Sequence, residues 1–103
     1  MISAAAGDTV TKRFLVINPV TDTPVDADAL PTLVAVYKNG ASTADTVTVA
    51  DVTPDGHYTC QFTVPASGYD AKDIVQCLIT ADVTDNGTTY TMHEFVLEIQ
   101  VSA

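Results

Sequence analysis

The sequence predicts an all-β domain, built as a sandwich of six to seven antiparallel strands. Threonine and valine are abundant among the 103 residues, and apolar residues alternate with polar ones along several segments. β-Branched side chains lose rotamer freedom in a helix but pack well on a pleated sheet. Short alternating segments separated by regular turn signals are typical of a sandwich. No segment shows a sustained helical period.

The first two strands are separated by an irregular stretch. Residues 9–17 alternate and form the first predicted strand. The proline-marked stretch 18–31 follows, and it has room for a short edge strand near Pro24-Val25. Residues 33–38 form the next strand, which Asn39-Gly40 ends as a turn.

Later turns define the rest of the sheet. Pro54-Asp55-Gly56 turns the chain between two strands, and Asp85-Asn86-Gly87 is the strongest hairpin signal. Asn-Gly supplies the positive φ angles that a type I′ turn requires. The remaining predicted strands are residues 45–52, 57–64, 73–83 and 88–101.

Alternation also predicts which side chains face the core. The predicted inward set is Tyr58, Cys60, Phe62 and Val64 in one strand, Val75, Cys77, Ile79, Ala81 and Val83 in the next, and Phe95, Leu97, Ile99 and Val101 in the last. Tyr90 and Met92 have the opposite parity from Phe95. A β-bulge near His93 would reconcile them, because one extra residue switches the face.

The composition indicates one folded, acidic domain. A chain of 103 residues suffices for one modest core, and 47% hydrophobic with 17% charged residues argues against disorder. A net charge of −9 repels nucleic-acid phosphates. Residues 1–7 lack the features of a signal peptide, and no apolar stretch approaches the roughly 20 residues of a membrane span. We expect an N-terminal arm (1–7), one domain (8–103), synthesis in the cytoplasm, and neither nucleic-acid nor membrane partners.

Cys60 and Cys77 are the two cysteines of the chain. If strands 57–64 and 73–83 form a hairpin that pairs Val64 with Asp73, the cysteines lie opposite each other within disulfide range. Alternatively they are buried thiols that fill the core, which cytoplasmic synthesis favours. Neither interpretation predicts a redox enzyme, because no Cys-x-x-Cys motif is present.

No pattern of residues predicts catalysis. His57 and His93 lack a neighbouring His or Cys at metal-ligand spacing, and we expect them to have surface or packing roles. No serine lies in a Gly-x-Ser-x-Gly elbow. We therefore expect a protein that is not an enzyme and that holds no cofactor.

Two loops contain weak candidates for ligand binding. Asp22, Asp26 and Asp28 crowd one loop and could supply some of the six to eight oxygens that calcium needs. Aspartate is also favoured in turns because its carboxylate bonds nearby backbone N–H groups, which explains the same distribution without a metal. Tyr69 is the one tyrosine expected in a loop, where its ring could stack on a sugar.

The segment Asp55-Gly56-His57-Tyr58-Thr59-Cys60 resembles the Tyr-x-Cys signature of immunoglobulin domains. In that family the tyrosine lies two residues before a cysteine and forms a corner. Its hydroxyl bonds the backbone a few residues upstream. Tyr58 and Cys60 match these two positions. The chain departs from antibody-type domains because no cysteine precedes residue 60 and no tryptophan is present.

A wider resemblance covers most of the chain. Its motifs, mostly turn chemistry, are Gly7-Asp8-Thr9-Val10, the turn 18–24, Pro31-Thr32-Leu33-Val34, Tyr37-Lys38-Asn39-Gly40, and Gly56-His57-Tyr58 followed by Val64-Pro65. Their order resembles the immunoglobulin-like modules of bacterial and phage tail, baseplate and head-decoration proteins. The resemblance implies an immunoglobulin-like antiparallel β-sandwich in a non-enzymatic virion protein, a capsid decoration or tail component made in the host cytoplasm. Its partners would be other virion proteins, either copies of itself or a major capsid or tail protein.

Four apolar residues have the wrong parity for the core. Leu15, Ile17, Ile74 and Leu78 either form a patch for a neighbour or cover partly buried outer faces of central strands. The arm 1–7 and the loop 18–31 are further contact candidates. One alternative function is a carbohydrate- or host-surface-binding module. Another is an adhesion fragment of a bacterial surface protein, but the missing signal peptide argues against the adhesion fragment.

Overall fold

The computed structural model describes residues 1–102, and in that range the chain is entirely strands and connecting turns. The all-β fold class predicted from the sequence is confirmed. The strands are β1 (Ile2–Ala5), β2 (Thr9–Leu15), β3 (Ile17–Asn18), β4 (Thr23–Pro24), β5 (Thr32–Lys38), β6 (Ala41–Ser42), β7 (Thr48–Val52), β8 (His57–Thr63), β9 (Ile74–Asp85) and β10 (Thr88–Ser102).

Two sheets form the layers of the sandwich. The larger has the order β1-β10-β9-β5-β6 and the smaller has the order β2-β8-β7, while β3 and β4 form a separate two-stranded ribbon. Strand β1 runs parallel to β10, with Ile2 beside Ile99 and Ala5 beside Ser102. The other strand pairs are antiparallel. Four of the seven residues expected to form a free arm therefore belong to the edge of the larger sheet.

The core lies between the two sheets and follows the predicted alternation. In β8 and just after it, Tyr58, Cys60, Phe62 and Val64 are buried. In β9 every second residue from Val75 to Val83 is buried. The inward residues of these two strands are therefore confirmed, because a period of two places alternate side chains on one face.

The last strand contains the expected face switch at a different residue. The register of β10 against β9 shifts between Phe95 and Leu97, so Val96 is the extra residue, and the bulge predicted near His93 is wrong by three positions. Val96 and Leu97 are both buried, whereas Phe95 is 53% exposed. The inward orientation predicted for Phe95 is therefore wrong.

The predicted hairpin between residues 57–64 and 73–83, on which the opposed arrangement of the cysteines depended, does not form. Strand β8 pairs with β2 and β7, whereas β9 pairs with β10 and β5, so the two strands belong to different sheets. Strand β9 instead forms its hairpin with β10 through Asn86 and Gly87, whose φ angles are 49° and 83°. That pair of positive angles confirms the predicted type I′ turn.

The first predicted strand is interrupted at Val16. Its amide donates to the Gly56 carbonyl at 2.8 Å, and its carbonyl accepts from the Val25 amide at 3.0 Å. The backbone of this residue therefore bonds two loops rather than a neighbouring strand, which ends β2 at Leu15. Strand β7 begins at Thr48, three residues later than predicted.

Candidate protein-contact surfaces

An apolar row crosses the outer face of the larger sheet. Leu78 lies between the buried residues Cys77 and Ile79, so its side chain points away from the core. Phe95 and Ala35 pair with Leu78 on either side and share its face. Tyr37 lies two residues after Ala35 on the same face of β5. Its ring meets the Phe95 ring edge-on, with 6.1 Å between centroids. Ala35, Tyr37, Leu78 and Phe95 are called the outer-face patch below.

The bulge at Val96 is the reason that Phe95 reaches this face. Without the extra residue, the regular alternation of β10 would place Phe95 on the same side as Leu97, in the core. Just beside the patch, the Gln76 amide donates to the Glu98 carboxylate at 3.0 Å. Val34 lies at the register shift of β5 and is also exposed. An exposed apolar cluster with a polar rim is characteristic of a protein-interaction surface.

A second apolar surface lies in the open side of the sandwich. Leu15, Ile17, Pro19 and Met92 line a groove between the edge of β2 and the first half of β10. Leu15 and Ile17 are each 38% exposed there. Tyr90 and Met92 pair with the buried residues Val83 and Ala81, so they line the inner face where the smaller sheet does not cover it. This surface is called the inter-sheet groove below.

The edge of β10 beside the groove is unpaired over most of its length. Strand β1 pairs only with Ile99 to Ser102, and residues 88–98 have a strand partner on the β9 side alone. Unpaired strand edges can accept an additional strand from another chain. The bulge at Val96 and the charge of Glu94 interrupt this edge, and both features discourage uncontrolled pairing.

The four parity-breaking residues do not form one surface. Leu15 and Ile17 lie in the inter-sheet groove, and Leu78 lies in the outer-face patch. Ile74 is half-buried at the start of β9, where its amide donates to the Asn39 side-chain oxygen at 2.8 Å. Phe95, the most exposed member of the patch, was missed because the sequence does not locate the bulge.

Tyr69 is held too firmly to present a free ring. Its ring packs edge-on against Phe62, with 6.4 Å between centroids, and its hydroxyl donates to the Asp45 carboxylate. The Lys38 ammonium lies over the ring at 5.3 Å from its centroid and donates to the Gly68 carbonyl. Burial and the Asp45 carboxylate together raise the pKa of Tyr69 to about 12. Sugar stacking on Tyr69 is therefore not supported by the geometry.

The three candidate calcium ligands serve separate turns. Asp26 accepts the Gly56 amide at 2.7 Å, and Asp28 accepts both the amide and the hydroxyl of Thr84. Asp22 has a positive φ of 58°, and its amide donates to the Asn18 carbonyl. Within residues 1–102, no three His, Cys, Asp or Glu side chains are grouped so that they could hold a metal ion. The Asp26 and Asp28 carboxylates each accept a backbone amide, as aspartate in a turn commonly does.

Tyr58 connects β8 to the long loop. Its hydroxyl accepts the Ala27 amide at 2.9 Å, across 31 residues of chain. A tyrosine corner bonds backbone only a few residues upstream, so this arrangement differs from the family pattern. Burial raises the pKa of the Tyr58 phenol, and the ring stacks on Phe14 with 5.7 Å between centroids.

The two histidines lie on strands of different sheets. His57 is half-buried at the start of β8, and its Nδ1 is buried without a hydrogen-bond partner among residues 1–102. His93 is exposed on β10 and pairs with Thr80 of β9.

The fold is a small β-sandwich with two exposed apolar surfaces. Neither a protein-family model, nor a curated protein, nor a solved structure is significantly similar to the chain. Among the described residues there is no helix of the length and apolarity that a membrane crossing requires.

Proposed function

We propose that this chain is a non-enzymatic structural or accessory protein of a tailed-phage particle, a capsid decoration or tail component. It acts through protein–protein contacts with copies of itself or with a major capsid or tail protein. The observation that carries the contact role is the outer-face patch, where Phe95 is 53% exposed on the outer face of the larger sheet. A large aromatic side chain loses favourable burial energy when it is left in water, and a partner surface restores it.

The strand order supports the immunoglobulin-like part of the proposal. If β2, β8 and β7 are assigned as strands B, E and D, the smaller sheet has the B-E-D order of that family. If β5, β9 and β10 are assigned as C, F and G, the larger sheet has the C-F-G order. Under this assignment Tyr58 lies in strand E, whereas the family's corner tyrosine lies in strand F. The support comes from the order of the strands and not from the Tyr-x-Cys match.

The charge of the chain favours an apolar contact. Copies that each carry a net charge of −9 repel one another, and the repulsion must be offset where they meet. The four side chains of the outer-face patch are uncharged. Association through this patch brings aromatic surface together, with the Glu98 carboxylate at its rim and not at its centre.

The proposal is tested by the absolute mass in solution, measured by light scattering behind size exclusion. We expect the wild-type chain to form a closed oligomer such as a trimer, pentamer or hexamer, and Phe95→Ser to shift it to monomer. Leu30→Ser is the matched control, because Leu30 is similarly exposed, at 51%, but lies outside the patch. A wild-type chain that stays monomeric at high concentration would exclude self-association as the contact. Dissociation by Leu30→Ser but not by Phe95→Ser would exclude the outer-face patch as the interface.

The alternative of a carbohydrate- or host-surface-binding module receives no comparable support. Its best aromatic candidate, Tyr69, is packed against Phe62 and covered by Lys38. A glycan-array screen of the wild-type chain and Tyr69→Ala distinguishes the two functions. A contact protein gives no hits, whereas binding that Tyr69→Ala abolishes would favour the alternative.

A further inference from the structure

The two cysteines face each other from opposite sheets. Cys60 lies on β8, the middle strand of the smaller sheet, and Cys77 lies on β9, the middle strand of the larger sheet. Both belong to the inward set of their strands, and both side chains are 0% exposed. In a sandwich the inward side chains of the two sheets interdigitate in a core about 10 Å thick, so inward residues of opposite sheets meet there.

Both cysteines are free and belong to the same buried core cluster. Each thiol shifts the pKa of the other, chiefly through a hydrogen bond between them. That hydrogen bond, together with burial, raises the pKa of the Cys77 thiol above its ordinary value. The surroundings are apolar, with Phe62 two residues from Cys60 and Val75 and Ile79 flanking Cys77 on the same face.

We propose that Cys60 and Cys77 form an intersheet disulfide when the chain folds in the presence of a small-molecule disulfide such as oxidised glutathione. The first cysteine thiolate attacks the reagent, forms a mixed disulfide and releases one glutathione thiolate. The second cysteine thiolate attacks the protein sulfur and releases the other. The two protein thiols lose two protons and two electrons, and the reagent is reduced to two glutathione molecules.

Complete burial decides when this reaction occurs. Thiol–disulfide exchange needs access of the reagent to the sulfur, and neither sulfur is accessible in the folded chain. During folding the thiols are exposed, and the packing of β8 on β9 then brings them together. A chain that folds reduced therefore stays reduced, and one that folds under oxidising conditions keeps the cross-link.

The bond closes the loop of residues 60–77 and restricts the unfolded chain. For a loop of this size, the restriction is expected to raise the melting temperature by roughly 10–20 °C in a domain of about 100 residues. The increase requires that the sheets accept the bond without distortion. Central-strand disulfides between sheets are tolerated by sandwiches of the immunoglobulin type, although there they join strands B and F.

The test is to unfold the reduced protein in urea and to refold it with a mixture of oxidised and reduced glutathione. Intact mass should then be lower by two hydrogens, alkylation should find no free thiol, and the melting temperature should rise by the stated amount. Reductant added to the unfolded product should reverse each change. Refolded protein that keeps two free thiols, or a bonded form that melts below the reduced form, would overturn the proposal.

Two controls separate the cross-link from other effects of the oxidant. Cys60→Ala and Cys77→Ala each leave one thiol, and neither should lose two hydrogens nor gain stability after the same refolding. Wild-type protein kept folded in the same mixture should remain reduced. If the folded protein oxidises as fast as the refolding protein, the thiols are accessible and the proposed route through folding is wrong. If a variant folds poorly, the mass and melting temperature of the wild-type protein, compared with and without reductant, still test the proposal.

Discussion

Asp28 holds Thr84 by both of its carboxylate oxygens. One oxygen accepts the Thr84 amide at 3.1 Å and the other accepts the Thr84 hydroxyl at 2.6 Å. The Asp28 amide in turn donates to the Asp82 carbonyl at 2.8 Å. The loop that precedes β5 is thereby fastened to the far end of β9, and both carboxylate oxygens of Asp28 are engaged.

Calcium is therefore expected to leave the stability unchanged. A calcium ion at this loop would compete with the Thr84 contacts of Asp28 and the Gly56 contact of Asp26. We expect the melting temperature to be the same with millimolar calcium as with a chelator. A melting temperature that rises when calcium is added, and does not rise in Asp28→Asn, would show instead that the loop binds the ion.

Removing the Tyr58 hydroxyl should destabilise the domain. Tyr58→Phe leaves the Ala27 amide without its acceptor, and we expect a loss of about 1–3 kcal/mol in the free energy of unfolding. Urea denaturation measures this loss. Tyr90→Phe is the matched control, because Tyr90 is partly exposed and should change stability by less than about 0.5 kcal/mol. Equal effects of the two variants would mean that the Ala27 contact contributes nothing.

Gly56 occupies a position that excludes any side chain. Its φ is +84°, and a Cβ placed there would lie 2.6 Å from the Val25 amide nitrogen. Gly56→Ala combines a strained backbone with a clash against main chain, so we expect a loss of about 3 kcal/mol or more. Gly40→Ala has a similar φ of +85° but open space around it, and should cost only about 1–2 kcal/mol. Thermal unfolding of both variants separates the clash from the strain.

The stability of the domain should fall at high pH. Burial and Asp45 raise the pKa of Tyr69 from 10.0 to about 12, so the fold favours the neutral phenol. This contribution is fully present below pH 10 and is lost as the pH rises towards 12. Melting temperatures between pH 8 and pH 12 measure the loss. Tyr69→Phe should be less stable at pH 8 but should show a shallower decline above pH 10, and an equally steep decline would exclude Tyr69 as the cause.

The strands and most core positions could be predicted from the sequence, because they depend on local patterns. Alternation identified the buried face of β8 and β9, and Asn86-Gly87 identified the hairpin that follows β9. These signals arise within a few residues, where turn geometry and side-chain direction are set by adjacent backbone.

The pairing of strands could not be predicted in the same way. Residues 57–64 and 73–83 are neighbours in the chain, yet they lie in opposite sheets, because β8 finds its partners in β2 and β7. Strand β1 lacks a strong pattern of its own and forms only against β10. Such choices depend on the whole arrangement of the core and not on any one segment.

The contact surfaces depend on the same non-local information. Leu15, Ile17 and Leu78 were identified by parity, but their division between the groove and the patch follows from the sheet order. Alternation alone predicts that Phe95 faces the core. The prediction fails because one bulged residue, Val96, reverses the face of the β10 residues that precede it. The position of a bulge is set by the partner strand, which the sequence of β10 alone does not describe.

The parallel pairing of β1 with β10 also determines how the domain bears mechanical load. The chain enters at the start of β1, beside Ile99, and the described chain leaves at the end of β10, beside Ala5. Tension applied through Met1 and Ser102 pulls these two strands in opposite directions along their length. The evenly spaced bonds of a parallel pair are then sheared together and not broken one after another. A domain joined at both ends would resist stretching through this short edge before its core is disturbed.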